Sequence, residues 1–375
     1  MTNSILVSLV SQQTIPNVEL IKEFGDKINK HLFITTAQMQ NQLEWIKQAS
    51  GIGISDVIEV DAFDTLDIKK KLGEYPFGDD EIIVNVTGGT KLMSLVIDDF
   101  FRSVGATIYY VTGYNKEFIK LYPSRGVIKF EMKNKITLNE YLISYGFEIE
   151  EGSVYKQKND ALMFMNYYLN NFNELKPVLS TLQPARNKKR IEVKAVKNLN
   201  KLLSETNIIK PDGEGMITKY DTRYLTGDWF EEYVYFKVKE ELNLDDTEIG
   251  KGYKINKDGV SNELDIMFIY RHKLYIIECK TSVSYTQNIL QNGEEKEKNT
   301  NLLGEILYKS DALRNKFGLF ANTSVFTLSP IRDTNGKTLE NMKDHIKRAK
   351  LSNVTIAAKQ DIVLNKSIRE LLKIN

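Results

Sequence analysis

The sequence predicts an α/β protein built from two sheet-containing units in tandem. Three observations carry that prediction. Across the first third of the chain, short apolar runs alternate with helical patterns at regular spacing. Toward the C-terminus, a helix, three strands, a helix and a strand follow in that order, and one strand ends in Glu278-Cys279-Lys280. Between the two lies a stretch of helical periodicity, two prolines and a basic cluster.

The N-terminal elements follow in sequence. Ser4–Val10 reads as a strand, and Pro16–Asn29 as a helix with proline in its first turn. Leu32–Thr36, Val57–Val60, Glu81–Val86 and Ala106–Val111 read as further strands. Ala37–Ala49, Leu66–Gly73 and Thr90–Val104 read as the helices between them. This alternation argues a doubly wound parallel sheet with helices on both faces. Phe118–Tyr122 and Val127–Met132 read as an antiparallel addition at its edge. Ligands of such sheets sit at the carboxyl ends of the strands.

Two strand ends carry candidate ligand chemistry. The loop of Ser11, Gln12, Gln13, Thr14 and Asn17 sets hydroxyls and amides before a helix N-terminus, where an anion is favoured. The second loop, Asn85-Val86-Thr87-Gly88-Gly89-Thr90-Lys91-Leu92-Met93-Ser94, offers two hydroxyls, free helix N–H groups and the charge of Lys91. Its glycines let backbone approach a ligand, and the pattern suits a phosphate without being a Walker A loop. The same residues would also make a tight strand-to-helix turn with a Thr90 N-cap. Tyr114 closes a third strand at this edge, as a surface residue or a base-stacking one.

In the middle, Thr137–Phe147 and Ala161–Leu175 are helical by pattern. Met163, Phe164, Met165, Tyr167 and Tyr168 fall at near-helical spacing and belong to a core or interface. Lys176–Lys201 reads as a connection whose cluster Arg186–Arg190, Lys194, Lys197 and Lys201 is either a solvated face or a nucleic-acid contact.

The richest chemistry lies further on. Asn262–Ile269 and Leu274–Lys280 read as two strands of a hairpin turning at Arg271-His272-Lys273. Residues i and i+2 of a strand share a face, so Glu278 and Lys280 project together, and the partner strand adds Asp265. Hard cations such as Mg²⁺ and Mn²⁺ take oxygen ligands. Asp265, Glu278 and the carbonyl of Cys279 would supply them, with Lys280 beside the attacking water or the developing phosphorane. Taken alone, a Glu-x-Lys pair is as well a solvated ion pair. Ser284–Asn301, a long polar segment beside this strand, reads as a mobile loop with a gating role open.

Composition bounds the classes. The 375 residues allow two or three domains, each with its own core. Hydrophobic residues make up 42%, mean hydropathy is −0.34, and no apolar run is long enough for a bilayer. A single cysteine excludes an intramolecular disulfide framework and fits a reducing cytoplasm. The three scattered histidines, His31, His272 and His345, argue against a zinc site. With 51 basic and 50 acidic residues, any nucleic-acid contact must be a local patch. The lack of a G-x-G-x-x-G run disfavours a dinucleotide redox enzyme.

Two family resemblances join these readings. The order of helix, three strands, helix and strand, with Asp265, Glu278 and Lys280, resembles the core of PD-(D/E)XK nucleases. Glu231, within Gly227-x-Trp229-x-Glu231, matches the acid often carried by the first helix of that family, although Glu232 stands beside it. Asn85–Ser94 resembles the Asn-x-Thr-Gly-Gly-Thr-Lys-x-Met-Ser motif of CARF domains, and Ser11–Asn17 their first ligand loop.

The combination resembles CRISPR ancillary nucleases of type III systems. It implies a Rossmann-like CARF domain over 1–136, a helical and basic connector over 137–217 and a nuclease domain over 218–375. It further implies a homodimer that binds cyclic tetra-adenylate across its two-fold axis. Ser11, Gln12, Gln13, Thr14, Asn17, Thr87, Gly88, Gly89, Thr90 and Lys91 would line that site. The activated enzyme would use Mn²⁺ or Mg²⁺ to cut DNA or RNA. The competing reading is a nucleotide-sensing DNA-binding regulator without cleavage, against which the intact Asp265, Glu278 and Lys280 set argues.

Overall fold

The structure is a computed structural model that describes residues 3–113, 117–291, 294–319 and 321–374, with the backbone alone over 284–300. The first unit runs β1 (Ser4–Leu9), α1 (Ile15–Phe24), β2 (Lys30–Thr35), α2 (Gln40–Ser50), β3 (Asp56–Glu59), α3 (Thr65–Glu74), β4 (Glu81–Asn85), α4 (Lys91–Ser103), β5 (Thr107–Val111), β6 (Glu117–Tyr122) and β7 (Ile128–Glu131). Its seven strands are ordered β3-β2-β1-β4-β5-β6-β7. The first five pair in parallel, and β6 and β7 add antiparallel at one edge. Every residue of β1 is buried, as a central strand covered on both faces requires. Tyr114 falls outside the described residues.

The chain continues through α5 (Leu138–Ser144), β8 (Glu148–Glu150), α6 (Lys158–Asn170), α7 (Phe172–Leu182), β9 (Arg190–Glu192), α8 (Leu199–Thr206), β10 (Met216–Thr218) and α9 (Lys219–Arg223). The single helix expected over Ala161–Leu175 is two, broken at Asn171. The expected connection Lys176–Lys201 is ordered secondary structure: α7 runs on through Pro177, β9 pairs with β10, and α8 begins. Burial overrides the proline here. Phe164, Met165, Tyr168, Leu175, Val178 and Leu182 all enter one core with Trp229 and Phe230.

The last unit comprises α10 (Trp229–Glu241), β11 (Ile249–Lys257), β12 (Val260–Tyr270), β13 (Lys273–Lys280), β14 (Ser284–Gln291), β15 (Glu294–Asn301), α11 (Leu303–Arg314), β16 (Ala321–Thr327), α12 (Lys343–Leu351), β17 (Thr355–Ala357), α13 (Lys359–Val363) and α14 (Ile368–Leu372). Six strands form a mixed sheet ordered β17-β16-β13-β12-β11-β8. The polar stretch expected as a loop pairs with itself as the antiparallel hairpin β14–β15. Backbone pairing needs no apolar side chains, so hydrophobic periodicity could not reveal it.

The second sheet is covered on both faces. On one, α10 and the helices before it bury Ile266, Phe268, Ile277 and Cys279. On the other, Met267, Ile269, Leu274 and Ile276 share a core with Leu6, Ile15, Val18, Leu43 and Tyr141 of the first unit and α5. Polar contacts reinforce this junction. Nδ1 of His272, in the β12–β13 turn, lies 2.7 Å from Glu19 of α1, and both side chains are buried. Tyr141 donates to the carbonyl of Phe317 at 2.9 Å.

The sheet is kinked where the chemistry lies. Lys251 stands opposite Ile266 and Tyr253 opposite Leu264, so Gly252 falls against Asp265. Gly252 has φ 65, and the side-chain alternation changes hands there. Ile249 and Ile266 pack on the α10 face, whereas Tyr253 and Leu264 pack on the opposite one. Left-handed backbone costs about 1–2 kcal/mol for a residue with a Cβ. Gly252→Ala should therefore lower stability by roughly that amount in urea denaturation. Gly73→Ala, in α3 with open space around it, should leave stability unchanged or raise it by up to about 1 kcal/mol.

Candidate functional site

The kink gathers side chains from four elements. Asp265 on β12 accepts the backbone N–H of Cys279 at 2.7 Å through Oδ2. The same oxygen lies 3.2 Å from Lys280 Nζ, which is also 2.7 Å from Glu278. β12 and β13 pair only as far as Ile266 and Ile277, so the edge of β13 beyond is free to meet this carboxylate. An extended residue presents its N–H and C=O to the same edge. The Cys279 carbonyl therefore faces the gap that its N–H shows to Asp265. The Cys279 thiol is buried in the core behind, and burial raises its pKa well above the ordinary value.

α10 supplies the other wall. A wide, π-type turn over Tyr224–Asp228 precedes it, a distortion frequent at functional sites. Glu231 then faces the kink, and Glu232 is fully buried beside it. Desolvation, with repulsion from Asp265 second, pushes the Glu231 carboxyl up to about 8. Burial, then Glu278, pushes Asp265 up to about 6. Lys280 is raised, because the attraction of Asp265 and Glu278 outweighs its desolvation.

Lys251 completes the group, although no motif in the sequence marks it. Its ammonium lies 3.4 Å from Glu231 and 3.9 Å from Glu232, with 7% of the side chain exposed. A signal was present: Lys251 stands two residues after Ile249 and so shares its inward face. At the rim, Arg186 and Arg223 both pair with Asp228, at the start of α10. Arg186 thus ties the basic cluster to the start of α10.

The donor set suits a hard divalent cation. Glu231, Glu232, Asp265 and Glu278 face Lys251 and Lys280, four carboxylates against two ammonium groups. When all are ionised, the excess is two negative charges, which one divalent ion balances. Among the described residues no three acidic, histidine or cysteine side chains converge as a preformed cage. Two carboxylates and a carbonyl fit an ion that keeps waters, as Mg²⁺ and Mn²⁺ do.

The two N-terminal loops also meet. A Cβ on Gly88 would lie 2.0 Å from the Leu9 carbonyl oxygen and 3.4 Å from Ser11 Oγ, so this glycine serves the close approach of the chain to itself. Asn85 donates to Asn17 at 2.8 Å, Asn17 to the Leu9 carbonyl at 2.9 Å, and Thr87 to Asn85 at 2.6 Å. Thr90 caps α4 by accepting the Met93 N–H. Thr14 and Asn17 are buried, Gln12 and Lys91 are exposed, and Ser11, Thr87, Gly89 and Thr90 lie between. Thr14 Oγ1 is 3.1 Å from Ser144 Oγ of α5. Gln13 Oε1 accepts from the Leu319 N–H at 3.0 Å and from the Tyr145 hydroxyl at 3.2 Å. The Ser11–Asn17 loop is therefore bonded directly to the segment that leads from α11 into β16.

Comparison with known proteins assigns both units. Residues 5–141 match the family described as Card1 CARF domain, and residues 218–366 the family described as Card1-like, endonuclease domain. The chain belongs to the Card1-like CARF endonucleases. No curated protein matches it in sequence. Among solved structures, VC1899 from Vibrio cholerae superposes with TM-score 0.74 at 22% identity, covering 99% of this chain and 96% of the other. Can2 from Sulfobacillus thermosulfidooxidans, in complex with cyclic tetra-adenylate, gives 0.72 at 22% identity and covers 99% of each chain. A type III CRISPR defence DNA nuclease activated by cyclic oligoadenylate gives 0.54 at 15% identity, covering 93% of this chain and 52% of its own. These likenesses establish a shared fold across the CARF domain, the connector and the endonuclease domain.

The raised acids predict a pH dependence. Both folded-state pKa values lie above the ordinary carboxylate values of 4.5 and 3.8, so the metal-free folded protein holds protons that the unfolded chain releases. Their stabilising contribution is complete below those ordinary values and is lost as pH rises, through about 6 for Asp265 and about 8 for Glu231. Melting temperature in EDTA should fall over this window, and Glu231→Gln or added Mn²⁺ should flatten the slope. An unchanged slope in Glu231→Gln would remove Glu231 as its source.

Proposed function

We propose that this protein is a metal-dependent endonuclease of PD-(D/E)XK type, gated by cyclic tetra-adenylate as a homodimer. The sensor spans 1–136, the connector 137–217 and the nuclease 218–375. The observation that carries the reading is the half-buried junction of Asp265, Glu278 and Lys280, with Glu231 opposite. Asp265, Glu278 and the Cys279 carbonyl would hold Mn²⁺ or Mg²⁺. When bound, such an ion makes a coordinated water more acidic and offsets charge on a phosphoryl oxygen. Lys280 orients the attacking water and neutralises charge on the phosphate oxygens. Glu231, once ionised, is the acid placed to take a proton from that water. DNA is the proposed main substrate, cut as single strands or nicked in duplex, with single-stranded RNA as a second one.

For the sensor, the reading rests on Ser11, Gln12, Gln13, Thr14, Asn17, Thr87, Gly88, Gly89, Thr90 and Lys91. Support comes from the CARF family match and from the ligand named for Can2. Ser11, Gln12, Thr87, Gly89, Thr90 and Lys91 offer the accessible surface, whereas Thr14 and Asn17 shape the loop from beneath. Gln13 would pass the state of the loop to the strand beside Glu278 and Lys280, since β16 pairs with β13 along its length. A ligand that favours one loop arrangement thereby favours one arrangement of the catalytic strand.

The test is cleavage of labelled single-stranded DNA and RNA and of supercoiled plasmid, with Mn²⁺, with and without cyclic tetra-adenylate. Cutting should require both. Lys280→Ala and Glu278→Ala should lower the rate by a factor of about 100 or more while leaving calorimetric ligand affinity intact. A Lys280→Ala protein that cuts at the normal rate would sink the site assignment. Lys91→Ala should weaken ligand binding, whereas Gln13→Ala should bind ligand and respond to it poorly. Ligand binding with no cutting under any condition would favour the regulator.

A further inference from the structure

We propose that Lys251 is a positioning residue of the endonuclease site, holding the Glu231 carboxylate toward Asp265. The inference deepens the proposed function and rests on it. A buried lysine is expensive unless its charge is met, and this one is met by Glu231 at 3.4 Å and Glu232 at 3.9 Å. The two acids differ in freedom. Glu232 is fully buried and accepts the backbone N–H groups of Tyr155 and Lys156, so its position is set by the connector. Glu231 has no such backbone anchor among the described hydrogen bonds; its described ion-pair partner is Lys251. The ammonium therefore bridges a carboxyl held by two backbone N–H groups to one that has no such anchor among the described hydrogen bonds.

The connector also fixes Lys251 from below. β8 pairs with β11 at Glu150 and Lys254, and the chain then crosses β11 at Gly152. A Cβ on Gly152 would lie 2.1 Å from the Lys251 carbonyl oxygen and 2.4 Å from that of Gly252, so the crossing is in tight backbone contact with the kink. Residues 152–156 thus grip both the backbone of Lys251 and the carboxylate that its ammonium meets. They lie outside both family-matched segments. Lys251 then plays toward Glu231 the part that Lys280 plays toward Asp265 and Glu278. Each lysine settles the charge of one wall of the site and sets where its carboxylate points.

A double-mutant cycle tests this, run on cleavage of single-stranded DNA with Mn²⁺ and cyclic tetra-adenylate. Removing the partner that orients a functional acid typically costs 10–100-fold in activity. Lys251→Met should lose about that much in kcat with KM little changed, and Lys251→Arg should recover most of it. In a Glu231→Gln background, Lys251→Met should cost almost nothing more, because the two residues act as one unit. A Lys251→Met protein that cuts normally overturns the proposal, as does a full additional loss in the Glu231→Gln background, which marks a purely structural lysine. If Lys251→Met does not fold, the charge-balanced Lys251→Met/Glu231→Gln protein is compared with Glu231→Gln alone, and equal rates are required. If wild-type protein cuts nothing, the endonuclease reading fails by itself. The cycle run on denaturation midpoints then still decides the pairing, and additive shifts overturn it.

Discussion

Everything chemical in this protein depends on a kink shared by two neighbouring strands. At Gly252 and Asp265, β11 and β12 lose the strict alternation of faces that a flat sheet would impose. Without that break, Asp265 would point into one apolar layer or the other, and its carboxylate would be unpaired there. With it, Asp265 stands at the rim, caps the open edge of β13 through the Cys279 N–H and meets Lys280. The remaining acids are then brought close by the packing of α10 on the sheet. Desolvation there, with repulsion from a neighbouring carboxylate second, raises the carboxyls of Glu231 and Asp265.

The second constraint is that the CARF and endonuclease domains are not beads on a string. The rear face of the catalytic sheet is buried against α1, α2 and α5, and the buried Glu19–His272 pair crosses the boundary. A movement of the Ser11–Asn17 loop would therefore shift its contacts with the endonuclease domain. Gln13 makes one such route, a single side chain from the loop to the segment entering β16. The connector makes another, from Ser144 and Tyr145 through β8 to Gly152 and the Glu232 anchor. Both routes are packed and hydrogen-bonded, the kind of continuous network through which coupling between sites is carried.

Much of this was legible in the sequence, for identifiable reasons. Parallel strands buried on both faces read as continuous apolar runs, so β1, β2, β4 and β5 fell where the pattern put them. Glu278 and Lys280 shared a face because strand period is two. Lys251 escaped notice because one inward lysine in a strand has no motif to flag it. α7 was hidden by Pro177, which the surrounding core tolerates, and β14–β15 by a polar composition that carries no periodicity. The close approach of Gly88 to the Leu9 carbonyl had no signal in the local pattern. Contacts made across a hundred or more residues, such as Thr14 with Ser144 or Glu19 with His272, lie beyond any local pattern.

The central claim is that Asp265, Glu278 and the Cys279 carbonyl form one divalent-cation site beside Lys280. Anomalous scattering from crystals soaked in Mn²⁺ addresses it directly. The account predicts a single strong peak in the gap between β12 and β13, with oxygen ligands from these three residues, and its loss in Asp265→Asn. A well-diffracting soaked crystal with no peak there, or with manganese held by other acids, would contradict it.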